Sequence, residues 1–172
     1  MLLILLRHGI AAEISELPPH ADGSPALDAE RPLTERGRRR LHRAARGLRR
    51  LRVRPGRVLH SGLVRARQSA ELVASDLGLG TRTLVEVAAL EPGAEPGELL
   101  KLLSGLRAAE VLCVGHAPNL DRILARICGR DERIVSALGK GGAACLELPD
   151  RNVAEGRLAW LLPPRVLRRL GK

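Results

Sequence analysis

Apolar residues along this chain fall into two patterns, short continuous runs and stripes at a spacing of three or four residues. A continuous run such as residues 2–6 is typical of a strand buried on both faces of a sheet, whereas a one-sided stripe is typical of a helix. Strands are therefore predicted over residues 2–7, 58–60, 83–88, 111–114, 143–148 and 157–162. Helices are predicted over residues 35–51, 64–77, 96–108 and 119–128.

The alternation of strands and helices predicts βαβ units, an α/β fold with a mostly parallel sheet, and helices on both faces of that sheet. The last two strands follow each other without a helix, which adds an antiparallel member to the sheet. No repeat or linker divides the chain, so we expect one domain over residues 1–172. A loop as long as residues 10–32 is unusual in a compact domain and is expected to border the functional site.

The composition indicates a folded protein with an aliphatic core. Hydrophobic residues make up 45% of the 172 residues, Phe and Tyr are absent, and Trp160 is the one aromatic residue. The run at residues 2–6 ends at Arg7, and no run approaches the ~20 apolar residues of a membrane helix, so we expect a cytoplasmic protein. The three cysteines show no pairing pattern that would suggest a disulfide framework.

The formal net charge of +10 raises the question of a nucleic-acid partner. Eleven arginines lie from Arg36 to Arg57, and most of them fill the outer face of the first predicted helix. Proteins that bind single strands use aromatic stacking platforms, which this chain cannot build, so a nucleic-acid partner is not expected. A membrane partner is not expected either, because no apolar run approaches the length of a membrane helix. A basic surface could still steer an acidic protein partner.

Candidate catalytic residues follow three of the predicted strands. Arg7 and His8 stand at the end of the first strand, Arg65 follows the second, and His116 follows the fourth. Strand-to-helix connections share one edge of a parallel sheet, so these side chains are expected to converge there. A histidine at such a place can act as a nucleophile, and guanidinium groups can hold the phosphoryl group that it attacks.

Two other motifs do not add a second chemistry. Cys113 and His116 have a metal-like spacing, but no second pair of ligands follows, so neither a metal nor another cofactor is expected. The segment Gly139-Lys140-Gly141 lacks the upstream glycine and the Ser or Thr of a phosphate-binding P-loop. It is therefore interpreted as a turn into the next strand.

Five segments in order make the chain resemble the histidine phosphatase (phosphoglycerate mutase-like) superfamily, and within it the small SixA-type phosphohistidine phosphatases. They are Leu5-Leu-Arg-His-Gly-Ile-Ala-Ala12, Arg31-Pro-Leu-Thr-x-x-Gly37, Ser61-x-x-x-Arg65-Ala-x-Gln-Ser69, Leu90-x-Pro-Gly93 and Val114-Gly-His-x-Pro118. The resemblance covers nearly the whole chain. The chain length also fits the short branch of the superfamily, which lacks the larger insertions of the sugar-phosphate mutases.

The resemblance implies a three-layer α/β/α sandwich and a phosphatase that needs no metal. His8 would be the nucleophile that takes the phosphoryl group as a phosphohistidine intermediate, which water then hydrolyses. Arg7, Arg65 and His116 would hold the phosphate oxygens, and Gly9 would line the same substrate-binding site. The positive charge of the phosphate-holding side chains would stabilise the transition state of phosphoryl transfer.

The motifs leave the proton donor open. Phosphomonoesterases of this superfamily use an acidic residue to protonate a leaving alkoxide, whereas phosphohistidine leaves as imidazole and needs less help. Glu91 is the candidate acid and an accessory substrate-binding residue, with Glu86 and Glu95 as competitors and an inert loop glutamate as the alternative. Gly62 stands where the family often has proline, which is expected to affect the stiffness of the loop.

Three functions are compatible with these residues. The first is a phosphohistidine phosphatase that acts on a protein partner, for example a histidine phosphotransfer domain, since a short chain with few insertions leaves its site open. The second keeps the mechanism but acts on a small phosphomonoester or another phosphorylated metabolite. The third is a non-catalytic phosphate-binding or interaction module. Nothing in the sequence demands more than a monomer.

Overall fold

A computed structural model describes residues 1–129, 138–149 and 155–172. It contains one six-stranded sheet with the strand order β3-β2-β4-β1-β5-β6. The strands are β1 (Leu2–Arg7), β2 (Arg57–His60), β3 (Leu84–Glu86), β4 (Glu110–Gly115), β5 (Ala143–Glu147) and β6 (Arg157–Leu162). The helices are α1 (Glu35–Arg50), α2 (Val64–Asp76), α3 (Pro96–Gly105), α4 (Asn119–Gly129) and α5 (Pro164–Leu170).

The predicted fold class, an α/β fold with a mostly parallel sheet and an antiparallel member, is confirmed. Strands β1, β2, β3 and β4 pair with one another in parallel. Strand β5 runs antiparallel to both of its neighbours, β1 and β6. The two central strands, β1 and β4, are buried on both faces, as their continuous apolar runs predict.

The sheet separates two apolar clusters, which gives the three-layer arrangement. Successive side chains of a strand point to opposite faces. Leu3 and Leu5 of β1 accordingly pack in the cluster that α3 and α4 cover, while Ile4 and Leu6 pack in the cluster under α1, α2 and α5. Both clusters consist mainly of aliphatic side chains, and Trp160 packs against the second of them.

Helix α1 has the amphipathic character that its sequence predicts. The side chain of Thr34 caps the helix by accepting a hydrogen bond from the Gly37 amide, 2.9 Å away. Leu41 and Leu48 are buried beneath the helix. The arginines of α1 stand on the outer side of the helix, half-buried or exposed.

Some element boundaries differ from the sequence-based expectation. Strand β3 ends at Glu86 instead of residue 88, because a single turn of 3₁₀ helix over Ala88–Leu90 follows it. Helix α3 ends at Gly105, three residues earlier than predicted. Helix α5 was not predicted at all, since its seven residues provide barely two turns of pattern, although Pro164 at its first turn is a helix-start signal.

The 10–32 segment is largely irregular, as expected, but it is tied to the body of the protein at both ends. Ala11 and Leu33 form an isolated antiparallel bridge, and the Ala12 amide donates to the carbonyl of Pro32, 2.9 Å away. Two single turns of 3₁₀ helix, Ile14–Glu16 and Asp28–Glu30, lie between these ties.

Across residues 1–129, 138–149 and 155–172, no helix has the length and apolar character needed to cross a membrane.

Candidate active site

Three neighbouring strands bring the predicted site residues to one edge of the sheet. Strands β1, β4 and β2 are adjacent and parallel, and they end at Arg7, Gly115 and His60. His8 and His116 come directly after two of these ends, and their ring centroids lie 4.9 Å apart. Arg65 lies in the first turn of α2, which follows the third. These residues therefore converge at the carboxyl ends of the strands, as the sequence predicts.

The backbone holds His8 in a defined position. Its amide donates to the carbonyl of Gly115, 3.1 Å away, and so continues the β1–β4 pairing past the strand ends. The next amide, that of Gly9, donates to the hydroxyl of Ser69 at 3.0 Å, which itself donates to the carbonyl of Arg65 at 2.6 Å. This chain of hydrogen bonds joins the β1 end to helix α2.

One hydrogen bond fixes the tautomer of His8. The Nδ1 atom lies 2.7 Å from the carbonyl oxygen of Gly9. A carbonyl oxygen can only accept, so Nδ1 carries the proton and Nε2 carries the lone pair of the neutral ring. The Nε2 atom makes no hydrogen bond to any residue of the described ranges, which leaves that lone pair available for attack.

Burial keeps the His8 ring neutral. The residue is 5% exposed. Burial, together with the positive groups of the site including Arg65 and Arg7, lowers the pKa of His8 to about 3. The ring is therefore unprotonated at neutral pH and could act as a nucleophile without a separate base.

His116 is the second buried imidazole of the site. Its Nε2 atom lies 2.7 Å from the hydroxyl of Ser61, the residue that follows β2. Burial, and then the charge of Arg65, lower the pKa of His116 to about 4. Its ring is therefore a neutral hydrogen-bonding group at neutral pH, not a fixed cation.

Arg65 is held by the long loop. Its guanidinium donates to the carbonyl oxygen of Asp28 at 2.7 Å and to the Asp28 carboxylate at 2.9 Å. Hydrogen bonds from Arg31 and then from Arg65 keep the pKa of Asp28 below its usual range. The expectation that residues 10–32 border the pocket is thus confirmed, and Asp28 is a site residue that sequence reasoning missed.

Arg7 presents an unused donor at the same edge. One terminal nitrogen donates to the carbonyl of Leu138 at 2.8 Å, while the buried Nε has no hydrogen-bond partner in the part of the chain that the structure describes. Burial lowers the pKa of Arg7, and the nearby Asp121 partly opposes this effect. A buried donor without a partner is costly, and an oxyanion at this place would satisfy it.

The carboxylates of the three candidate acids lie in different surroundings. Glu91 is exposed, and its carbonyl, not its carboxylate, accepts a hydrogen bond from Asn119 at 2.9 Å. Glu95 pairs with Arg122 at 2.9 Å on the surface. The Glu86 carboxylate lies over Gly62, where an added Cβ would stand 2.9 Å from Oε1. The glycine at position 62 therefore makes room for Glu86.

Ser61 and Ser69 form hydrogen bonds within the site that the sequence did not predict. Both are fully buried, and each binds a functional segment: Ser61 contacts His116, and Ser69 joins the Gly9 amide to the Arg65 carbonyl. Their presence in the segment 61–69 was part of the motif, but a serine pattern alone does not show which partner each hydroxyl binds.

The site as a whole is suited to hold a phosphoryl group. It combines a neutral imidazole with a free lone pair, a second imidazole and two guanidinium groups at one sheet edge. Arginine forks match the oxygens of a phosphoryl group, and donors placed in a buried site stabilise the charge of its transition state.

Comparison with known proteins agrees with this geometry. Residues 3–93 match the family model described as "Histidine phosphatase superfamily (branch 1)". An uncharacterized protein from Picosynechococcus sp. is 36% identical over 124 residues, which is 70% of this chain and 68% of that protein. The structure of the protein histidine phosphatase SixA complexed with tungstate is 27% identical, with a TM-score of 0.82 over 96% of this chain and 98% of that one.

The fold also extends to more distant enzymes. The α-ribazole phosphatase from Shigella flexneri is 20% identical, with a TM-score of 0.73 over 95% of this chain and 97% of that one. At this identity the likeness concerns the fold alone.

The chain belongs to the histidine phosphatase superfamily. The resemblance inferred from its five segments is confirmed, as is its structural likeness to SixA. The expectation of a phosphoric-group hydrolase is confirmed at the level of this superfamily.

The depressed pKa values of the two imidazoles predict how stability depends on pH. Below about pH 6.5 the unfolded chain binds protons at His8 and His116 that the folded chain excludes until pH 3 to 4. The free energy of unfolding is therefore expected to fall as the pH drops from 6.5 to 4. In His8→Gln this slope should be shallower, by up to about 1.4 kcal/mol per pH unit.

Urea denaturation at half-unit pH steps measures this difference. His42→Gln is the matched control, since His42 is half exposed and lies outside the site, where it contacts Asp76. That variant should keep the wild-type slope, because it leaves both buried imidazoles in place. Identical slopes for wild type and His8→Gln would show that burial does not suppress protonation of His8.

Proposed function

We propose that this protein is a metal-independent phosphatase that hydrolyses phosphohistidine in a phosphorylated protein through a phosphoryl intermediate on His8. The observation that carries the proposal is the His8 ring, which is buried, neutral and protonated at Nδ1, with its Nε2 lone pair free. The SixA structure solved with tungstate, a tetrahedral oxyanion like phosphate, supports the same reading.

In the first step Nε2 of His8 attacks the phosphorus atom of the substrate. A bond forms between Nε2 and phosphorus while the bond from phosphorus to the substrate imidazole breaks, and the departing imidazole takes a proton from solvent. Arg7, Arg65 and His116 hold the three equatorial oxygens, over which the negative charge spreads. The two arginines supply the positive charge that a metal ion provides in other phosphatases, and the neutral His116 ring adds a hydrogen bond.

In the second step a water molecule attacks the phosphoryl group on His8. The bond between phosphorus and Nε2 breaks, inorganic phosphate leaves, and the neutral ring is regenerated. Throughout the cycle the hydrogen bond from Nδ1 to Gly9 keeps the ring in one orientation and stabilises the positive charge that the phosphorylated imidazole carries.

The nature of the leaving group favours a phosphohistidine substrate. An imidazole leaves without strong acid assistance, whereas an alkoxide needs a well-placed proton donor. Glu91 is exposed, and its carboxylate has no hydrogen bond to a described residue of the site. We propose that Glu91 contacts substrate at the pocket rim, and that residues 1–172 act as one domain and as a monomer.

A small phosphomonoester is the second candidate substrate class. Its support is the Glu86 carboxylate, which lies against Gly62, immediately after Ser61 of the site. The fold shared with the α-ribazole phosphatase of Shigella flexneri is compatible with this class.

The central test is the turnover of a phosphorylated protein by wild type and His8→Ala. Phosphate release from a histidine phosphotransfer domain, phosphorylated beforehand with phosphoramidate, is followed in excess EDTA. Loss of the nucleophile should reduce turnover by at least about 10⁴-fold. His42→Ala, which removes an exposed imidazole at a distance from the site, should retain wild-type turnover.

Two results would contradict the proposal. Turnover that persists in His8→Ala would exclude His8 as nucleophile. Turnover by wild type that EDTA abolishes would exclude a metal-independent reaction.

The Glu91→Gln variant separates the two substrate classes. With the phosphorylated domain its kcat/KM should change by less than about threefold, because general-acid assistance is small for an imidazole leaving group. The kcat/KM of Glu91→Gln is also measured with p-nitrophenyl phosphate and with phosphoserine. The Glu86→Gln variant is measured in the same way.

A general acid contributes roughly 10²–10⁴-fold to turnover, so a role as acid is easily seen. A loss of that size in Glu91→Gln or Glu86→Gln, with phosphoserine as the better wild-type substrate, would favour the phosphomonoester function over the proposed one.

A further inference from the structure

Five arginines form a continuous positive surface beside the site, which we call the basic surface. They come from two helices that pack against each other, α1 and the short C-terminal α5. The basic surface consists of Arg36, Arg40, Arg43, Arg165 and Arg168.

Close packing of the two helices brings these arginines together. A Cβ on Gly47 of α1 would collide with the carbonyl of Leu167 in α5. A Cβ on Gly171, just after α5, would collide with the carbonyl of Arg43 in α1. Glycines at both points therefore permit an approach of the two helices that any other residue would prevent.

The charge of the basic surface is not compensated within the described part of the protein. None of its five arginines forms an ion pair there, whereas the neighbouring Arg39 lies 3.9 Å from Glu35. Burial, and then repulsion by the other four arginines, lower the pKa of Arg168. Unpaired like charges at close range favour the approach of an anionic partner.

A small cleft lies between the basic surface and the backbone next to His8. Arg40 and Arg168 line it together with Lys140, Gly9 and Gly141. Gly9 follows His8, and the Gly141 amide donates to the carbonyl of His8 at 3.1 Å as well as to that of the preceding residue. A molecule that lies on the basic surface would thus reach the edge of the phosphoryl site.

We propose that the basic surface docks an acidic face of the phosphorylated protein substrate and so delivers its phosphohistidine to His8. This inference rests on the proposed function. A protein-borne phosphohistidine must arrive with the surface around it, and carboxylates on that surface would pair with the arginines and accelerate encounter. Nucleic acid is the less suitable partner, because the basic surface offers no aromatic side chain for stacking.

Charge reversal at the three exposed positions of the basic surface tests the proposal. The docking variant carries Arg36→Glu, Arg43→Glu and Arg165→Glu, and it leaves the cleft arginines in place. The control variant carries Arg57→Glu, Arg82→Glu and Arg107→Glu. These control arginines are exposed at the amino ends of β2, β3 and β4, which is the opposite edge of the sheet, and the change in net charge is the same.

Two substrates are compared at low and at physiological ionic strength. They are free phosphohistidine and a histidine phosphotransfer domain of net negative charge that carries phosphohistidine. With the domain, the docking variant should lose at least about tenfold in kcat/KM at low salt, and added salt should reduce the difference. With free phosphohistidine all three proteins should agree within about twofold, since the surface is not needed to bind a small substrate.

Other outcomes would overturn the proposal. Equal losses in the docking and control variants would assign the effect to net charge, and wild-type turnover of the domain by the docking variant would leave the surface without this role. A docking variant that loses affinity for duplex DNA while it keeps turnover of the domain would assign the surface to nucleic acid.

Failure of the proposed function would look different. Wild type would then release no phosphate from either substrate. Affinity for the unphosphorylated acidic domain, measured by calorimetry, still decides the docking proposal in that case: binding by wild type and the control but not by the docking variant supports it, and equal affinities overturn it.

Discussion

The parallel pairing of β1 with β4 is the constraint on which the site depends. Its register sets Arg7 opposite Gly115, so the two strands end side by side and their next residues are both histidines. The His8 amide adds one more hydrogen bond to this ladder by donating to the Gly115 carbonyl. A shift by one residue would turn every side chain of β1 to the other face, disrupt both apolar clusters and separate the two imidazoles.

The same buried position determines the chemistry of His8. Low exposure removes the water that would stabilise an imidazolium, and nearby guanidinium groups add repulsion, so the ring stays neutral. The carbonyl of Gly9 then selects the tautomer with a lone pair at Nε2. Neither effect alone would give an oriented nucleophile: burial without the hydrogen bond leaves the tautomer free, and the hydrogen bond without burial favours the protonated ring.

Much of this could be predicted from the sequence because the signals were local. A continuous apolar run that ends in Arg7 and His8 marks both a buried strand and a residue at its carboxyl end, and the parallel topology then places His116 and the start of α2 at the same edge. Contacts between segments that are far apart in the sequence could not be predicted. The bond between Arg65 and Asp28 joins a helix to a loop 37 residues away, and no pattern in residues 10–32 distinguishes Asp28 from the other acids. Helix α5 was missed because its stability comes from packing on α1, not from its own seven residues.

The proposed mechanism depends most directly on which residue carries the phosphoryl group during turnover. Wild-type enzyme is mixed with a phosphorylated histidine phosphotransfer domain, and the reaction is stopped within milliseconds by alkali, in which phosphohistidine is stable. The quenched enzyme is then examined by mass spectrometry and ³¹P NMR. The proposed mechanism predicts a phosphoenzyme that is phosphorylated at His8 alone, on Nε2, and that forms and decays as fast as phosphate is released. A label on another residue, or turnover with no phosphoenzyme at any time point, would contradict it.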